Sequence, residues 1–244
     1  VGGDERSREE RRSIVSELVT MHVWRIPAQR VPAALACAAL DPRRVRALAA
    51  ARFAKLLGTS SSFGPRGADL TRWALLVSWS SPDAARTFAE SGVVRRWQAR
   101  ARESWSAELL PLASRGRWAR RSPFEGTAAD WDGPVAALTH ARLAPRHAVT
   151  FWRSVPPVAA DLGRRRGLRA AFGIGEVPLG VQGTFSLWRD AAALEEFAYR
   201  GASHREAIRQ TALRRWYTEE LFARFGVLHS AGRLGGRDPL AARA

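Results

Sequence analysis

The chain has 244 residues, enough to bury a substantial core in one large domain or two small ones, and 46% of them are hydrophobic, which excludes wholesale disorder. The formal net charge is +16, yet the charge is scattered arginine with a single lysine, Lys55. No zinc-finger spacing or aromatic-basic signature accompanies it, so no nucleic-acid partner is expected. Cys37 is the only cysteine, which excludes an intrachain disulfide and a thiol-rich metal site and reads as a small buried hydrophobe.

Residues 1–18 carry mixed charges and read as a solvated tail, without the apolar segment of a signal peptide. No apolar run approaches the ~18 residues of a spanning helix, and a cytoplasmic protein is expected. The arginine bias reads as coding bias, and it is compatible with a peripheral membrane contact or an acidic redox partner. Homo-oligomerisation stays open.

In chain order, residues 19–26 read as a strand closed by Pro27. A helical stretch over residues 31–57 follows, interrupted at Asp41-Pro42 because proline cannot continue a helix interior. Residues 58–67 are loop by their serine and glycine content. Residues 73–79 form the next strand, and Ser81-Pro82 supply a cap and first-turn proline for the helix beginning near Ala84. Gly92 breaks that helix, and another is expected over residues 94–112. After a linker over residues 116–133, the order repeats: a strand at 134–143 closed by Pro145, a helix at 147–162, a tight loop at 172–179, and a strand at 182–188. Asp190 caps a further helix, Gly201 breaks it, and a helix carrying His204 is expected to run to about residue 225 before the tail at 231–244.

Matching features recur about 107–118 residues apart, such as Pro27 with Pro145 and Trp105 with Trp216, a period that implies a duplicated domain. The expected fold is α+β: two ferredoxin-like halves, 19–115 and 134–230, packed as one dimeric-α+β-barrel-type body.

Setting Trp105 against Trp216 places Val93 opposite His204. One copy therefore carries an imidazole that the other lacks, which suggests a single ligand site. His22 and His140 each lie five residues before a proline, and that shared placement reads as a scaffold role. His147 and His229 read as surface or helix-end residues. Glu219 and Glu220 read as exposed helix-face carboxylates, or as partners for the second imidazole nitrogen. Gly173-Ile174-Gly175 lacks the third glycine of a dinucleotide loop; Gly173 and Gly175 read as small residues that let a flat cofactor or its substrate approach the backbone. No His-x-x-x-His or His-plus-carboxylate spacing supports a non-haem metal site. Most of the ten tryptophans, including Trp24, Trp79, Trp152 and Trp188, read as core, and some as lining for a large apolar pocket.

Ala54-Lys55-Leu56-Leu57-Gly58-Thr59, the segment from Phe172 through Leu179, Thr184-Phe185-Ser186-Leu187-Trp188, His204-Arg205-Glu206-Ala207-Ile208-Arg209 and the segment from Trp216 through Phe225 resemble the spheroidene monooxygenase family. The likeness extends from about residue 20 to 239. It implies a haem-containing, oxygen-dependent enzyme that oxidises acyclic carotenoids to ketones, with His204 as the iron ligand of haem b. An apolar small-molecule substrate, dioxygen and an external electron donor, a ferredoxin or a reductase, are implied with it. Two alternatives remain at this stage: a haem enzyme of another class, such as a dehydratase or a catalyst acting on nitrogen–oxygen or nitrogen–nitrogen bonds, and a non-catalytic haem-binding protein.

Overall fold

Side chains that alternate inward and outward dominate this chain, and they assemble into eight strands. A computed structural model describes residues 17–63, 67–127, 130–176, 181–200 and 216–241. The first half contains β1 (Leu18–Arg25), α1 (Val31–Arg46), β2 (Ala51–Ser60), β3 (Ala68–Trp79), α2 (Pro82–Ala89), α3 (Gly92–Gln98) and β4 (Glu103–Gly116). The second contains β5 (Val135–Leu143), α4 (Ala148–Gly163), β6 (Leu168–Glu176), β7 (Val181–Trp188), α5 (Ala191–Glu195), a π-helical turn at Glu196–Arg200, and β8 (Tyr217–Gly232). Both follow the β-α-β-β-α-β order of a ferredoxin-like unit.

All pairings are antiparallel, and the strands close into one barrel in the order β1-β3-β2-β6-β7-β5-β8-β4. The halves therefore meet along two seams. The long one runs from Trp105↔Gly232 to Gly116↔Leu221 between β4 and β8. The short one runs only from Gly58↔Gly175 to Ser60↔Gly173 between β2 and β6. Closure is short at this second seam, since among the described residues, residues 51–57 of β2 have no partner on β6.

The barrel interior is filled by Met21 and Val23 of β1, Leu76 of β3, Leu138 of β5, Phe172 of β6, Phe185 of β7 and Phe225 of β8, each 2% exposed or less. Burying a side chain of that size contributes roughly 1.5–3 kcal/mol. The segment between the halves adds Trp118 and Phe124 to this core. Helices lie outside, over a second apolar layer that includes Trp24, Trp73, Trp79, Trp97 and Trp188. Ser81 Oγ accepts from Ala84 N at 3.3 Å, and Asp190 Oδ1 from Ala193 N at 2.8 Å. These are the expected N-caps. Cys37 is a buried free thiol.

Several expected elements differ. The helix of residues 31–57 ends at Arg46, running through Pro42, and residues 51–60 are β2. Buried Asp41 accepts from Trp97 Nε1 at 3.0 Å and pairs with Arg44 and Arg96, fixing the turn that proline deprives of a hydrogen bond. The expected loop from residue 58 therefore starts only after Ser60. The helix of residues 94–112 is the short α3 followed by β4, in which Trp105, Ala107 and Leu109 turn inward. Residues 172–176, expected in a loop, complete β6. Residues 217–225, expected in a helix, begin β8.

Candidate functional site

The two halves can be superposed residue by residue through their strand pairing. Leu18 faces Trp79 in β1–β3, and Val135 faces Trp188 in β5–β7. By the same register His22 faces Leu75 and Thr139 faces Thr184; Trp24 faces Trp73 and Ala141 faces Gln182; Thr20 faces Val77 and Ala137 faces Ser186. The partner of His140 in the first half is therefore Val23, not His22. A one-residue offset in a strand exchanges faces. His22 lies on the outer face, under the helices, whereas His140 lies inside with Leu138 and Ala136. Likewise Trp105 faces Val23 while Leu221 faces His140, so Trp105 corresponds to Leu221 and not to Trp216. The opposition of Val93 to His204 does not follow from this register, and His204 lies outside the described residues.

On the outer face of the first half, His22 stacks on Trp24 with ring centroids 5.6 Å apart and meets Phe88 edge-on at 6.0 Å. Trp24 stacks on Trp97 at 5.2 Å. The space between sheet and helices is thereby filled. Among the described residues His22 Nε2 has no hydrogen-bond partner, and burial lowers its pKa to about 4, so it is neutral.

The outer face of the second half keeps Trp188, Ala171 and Gly175 where the first has Trp79, Ala54 and Gly58, but it differs at five neighbouring positions. Thr139 stands for His22, Ala141 for Trp24, Thr184 for Leu75, Ser186 for Val77, and Gly173 for Leu56. Ala137, Thr139, Ala141 and Thr184 are only partly buried. A Cβ on Gly173 would lie 3.1 Å from Ser60 Cβ and Phe63 Cα, so the chain after β2 already approaches the backbone closely here. Across β5 from Thr139 stands Phe222, 38% exposed, and across from Ala141 stands Glu220. Trp216 is buried at the entrance to β8, its ring 5.8 Å from that of Phe151 of α4 and its indole N–H meeting no acceptor among the described residues. The large residues that fill one half are thus replaced by smaller, partly buried ones at these positions in the other. Such a shelf with aromatic flanks fits a planar macrocycle or a long apolar chain.

Glu219 faces the opposite way. It is one member of a polar cluster inside the barrel that the sequence did not reveal as a unit. Its carboxylate accepts the backbone N–H of Ala119 at 3.0 Å and of Arg120 at 2.7 Å, and lies 3.4 Å from His140 Nε2. His140 stacks on Trp118 at 4.3 Å. Trp118 Nε1 donates to Glu176 Oε1 at 2.6 Å, and Lys55 donates to Glu176 Oε2 at 2.8 Å. Burial lowers the His140 pKa to about 4, outweighing the hydrogen bond and charge of Glu219. Burial alone would raise Glu176, but the hydrogen bonds from Lys55 and Trp118 hold it low. Glu219 is likewise held low, by the two backbone donors and His140, against the effect of burial. Every member is partnered, so the cluster closes the barrel interior as a pin.

The remaining histidines are outside the shelf's strands or exposed: His147 accepts from Arg146 Nε at 3.1 Å, and His229 is exposed on β8. Among the described residues no three His, Cys, Asp or Glu side chains could hold a metal ion, and no helix is long and apolar enough to cross a membrane.

Over 198 residues the chain is 38% identical to the spheroidene monooxygenase of Rhodobacter capsulatus, spanning 79% of this chain and 82% of that protein. It is 40% identical over 190 residues to that of Rubrivivax gelatinosus, spanning 77% and 73%. It is 38% identical over 196 residues to that of Cereibacter sphaeroides, spanning 78% of this chain and 60% of the relative. No family model matches. Among solved structures, an aldoxime dehydratase in complex with butyraldoxime aligns with a TM-score of 0.60 at 10% identity, covering 86% of this chain and 79% of that one. A second aldoxime dehydratase aligns with a TM-score of 0.56 at 13% identity, covering 86% and 81%. At that identity the likeness concerns the fold.

Proposed function

The chain belongs to the spheroidene monooxygenase family and is an oxidoreductase, and on that premise we propose that it uses haem b on the outer shelf of residues 134–230 to insert an oxygen atom from dioxygen into an apolar, carotenoid-like substrate. The observation that carries this reading is the replacement of His22, Trp24 and Leu75 by Thr139, Ala141 and Thr184 at equivalent register positions.

His204 would hold the haem iron, since it lies in the family motif that precedes Trp216. Haem, when bound, supplies the iron at which dioxygen is activated. The chain's own residues shape the surroundings. Ala137, Ala141 and Thr184 keep the shelf flat, with Gly173 and Gly175 keeping side chains off the neighbouring strand. Phe222 offers an apolar surface for the substrate, and such a lining excludes water from the reacting centre. Of the two glutamates, Glu220 stands on this face, and it is the proposed partner of the second imidazole nitrogen, a contact that fixes ring orientation and raises ligand basicity. Electrons would come from a separate ferredoxin or reductase, and the cytoplasm is the proposed compartment.

Expression with haem precursor followed by a pyridine haemochrome assay should give about one haem per chain. His204→Ala should lose most of the Soret absorbance, while His229→Ala keeps it. A His204→Ala protein with an unchanged spectrum would remove His204 from the site.

A further inference from the structure

Helix α1 (Val31–Arg46) covers β2 on the outside of the first half and buries Ala34, Cys37, Asp41 and Val45. A surface helix normally turns polar side chains to water. This one has none to turn over its first ten residues: every side chain from Val31 to Leu40 is apolar. Leu35 is 41% exposed, Leu40 50%, and Leu48 just beyond the helix 42%. Pro32, Ala33, Ala36 and Ala39 are exposed as well.

The charge around this face has one sign. Arg43, Arg44 and Arg46 occupy the last turn of α1, and Arg95 and Arg96 lie on the adjacent α3. The only carboxylate on the two helices, Asp41, is 2% exposed and already engaged by Arg44, Arg96 and Trp97. Arg43 is exposed and has no carboxylate partner among the described residues.

We propose that α1 docks the protein on an anionic lipid bilayer, with Leu35 and Leu40 at the acyl boundary and Arg43 on the headgroup phosphates. An exposed apolar stripe bordered by arginines is the pattern of an interfacial helix. The guanidinium fork matches phosphate geometry, and anionic lipid concentrates basic segments at the surface. A second copy of this chain fits the same face poorly, because it would bring two arginine-rich surfaces of a molecule carrying +16 against each other. The proposal is independent of the cofactor and of the reaction assigned above.

Flotation with vesicles tests it. The full chain should float with vesicles of equal parts phosphatidylglycerol and phosphatidylcholine, less so as salt rises, and should stay behind with pure phosphatidylcholine. Leu35→Glu with Leu40→Glu should weaken binding roughly tenfold or more, with unchanged circular dichroism. Arg43→Gln, a change at an exposed side chain, should weaken it several-fold and reduce its salt dependence. Failure of the wild-type chain to float at low salt would overturn the proposal, as would equal flotation of the leucine variant and the wild type. So would a wild-type dimer, seen by light scattering, that the leucine variant dissolves, since that would seat a second copy on the face.

Discussion

His22 and Thr139 occupy the same position in the two halves, opposite Leu75 and Thr184 respectively. One is sealed beneath Trp24 and Phe88, while the other lies partly open. If that difference makes the second half the working half, returning the lost bulk should abolish work without unfolding the barrel. Ala141→Trp, the residue of the first half, should lower haem content or substrate turnover by about tenfold or more. Its thermal transition should stay within a few degrees of wild type, because a partly buried position tolerates added volume better than a packed core does. Full haem content and turnover in this variant would show that the shelf is not the site.

The two buried histidines predict an acid-sensitive fold. Both have pKa values lowered to about 4, chiefly by burial. Above the unfolded value of about 6.5 both are neutral in both states, and their burial is fully tolerated. As pH falls through that value the unfolded chain binds protons that the folded chain refuses, so stability falls until about pH 4. For His22 the loss is on the order of 3 kcal/mol across that window. Urea unfolding at pH 7 and pH 5 would measure it, and His22→Phe should flatten the slope. An unchanged slope in that variant would place the acid sensitivity elsewhere.

Ala119 and Arg120 adopt φ of +54° and +64°, the left-handed region that L side chains enter at a cost of about 1 kcal/mol. Their N–H groups both point at Glu219. Ala119→Gly should therefore raise stability by up to about 1 kcal/mol. Glu219→Ala should lower it by about 2–3 kcal/mol, since two backbone donors and His140 lose their acceptor. Chemical denaturation of the two single variants reads both signs.

The oxygenase reading predicts the source of the product oxygen. Turnover should require dioxygen and an added electron donor, and mass spectrometry after labelled dioxygen should find the label in the product. Product formed anaerobically, without added electrons, would point to a reaction of another class on the same shelf.

The α+β class was legible because Ser81 and Asp190 mark helix starts right after strands, and β1, β3, β5 and β7 are short apolar runs. The other four strands were hidden by composition. Ala107-Glu108-Leu109-Leu110 are all good helix formers, yet they pair with β1 and β8 in the barrel wall, where packing overrides propensity. Pro111, set beside a register shift, was the available sign of a strand. The shelf escaped detection for a related reason. Aligning the copies by Pro27 and Pro145 is one residue out, which is harmless on a helix but reverses inside and outside on a strand.

Lys55 is the only lysine in the chain, and it sits in mid-β2, bonded to Glu176 next to the short seam between the halves. A lysine-specific protease therefore has one peptide bond to cut, and that bond is locked into the barrel wall. Cleavage into two defined fragments can proceed only when β2 leaves its neighbours. The rate of that single cut is a built-in clock for barrel opening, readable on a gel without any engineered label.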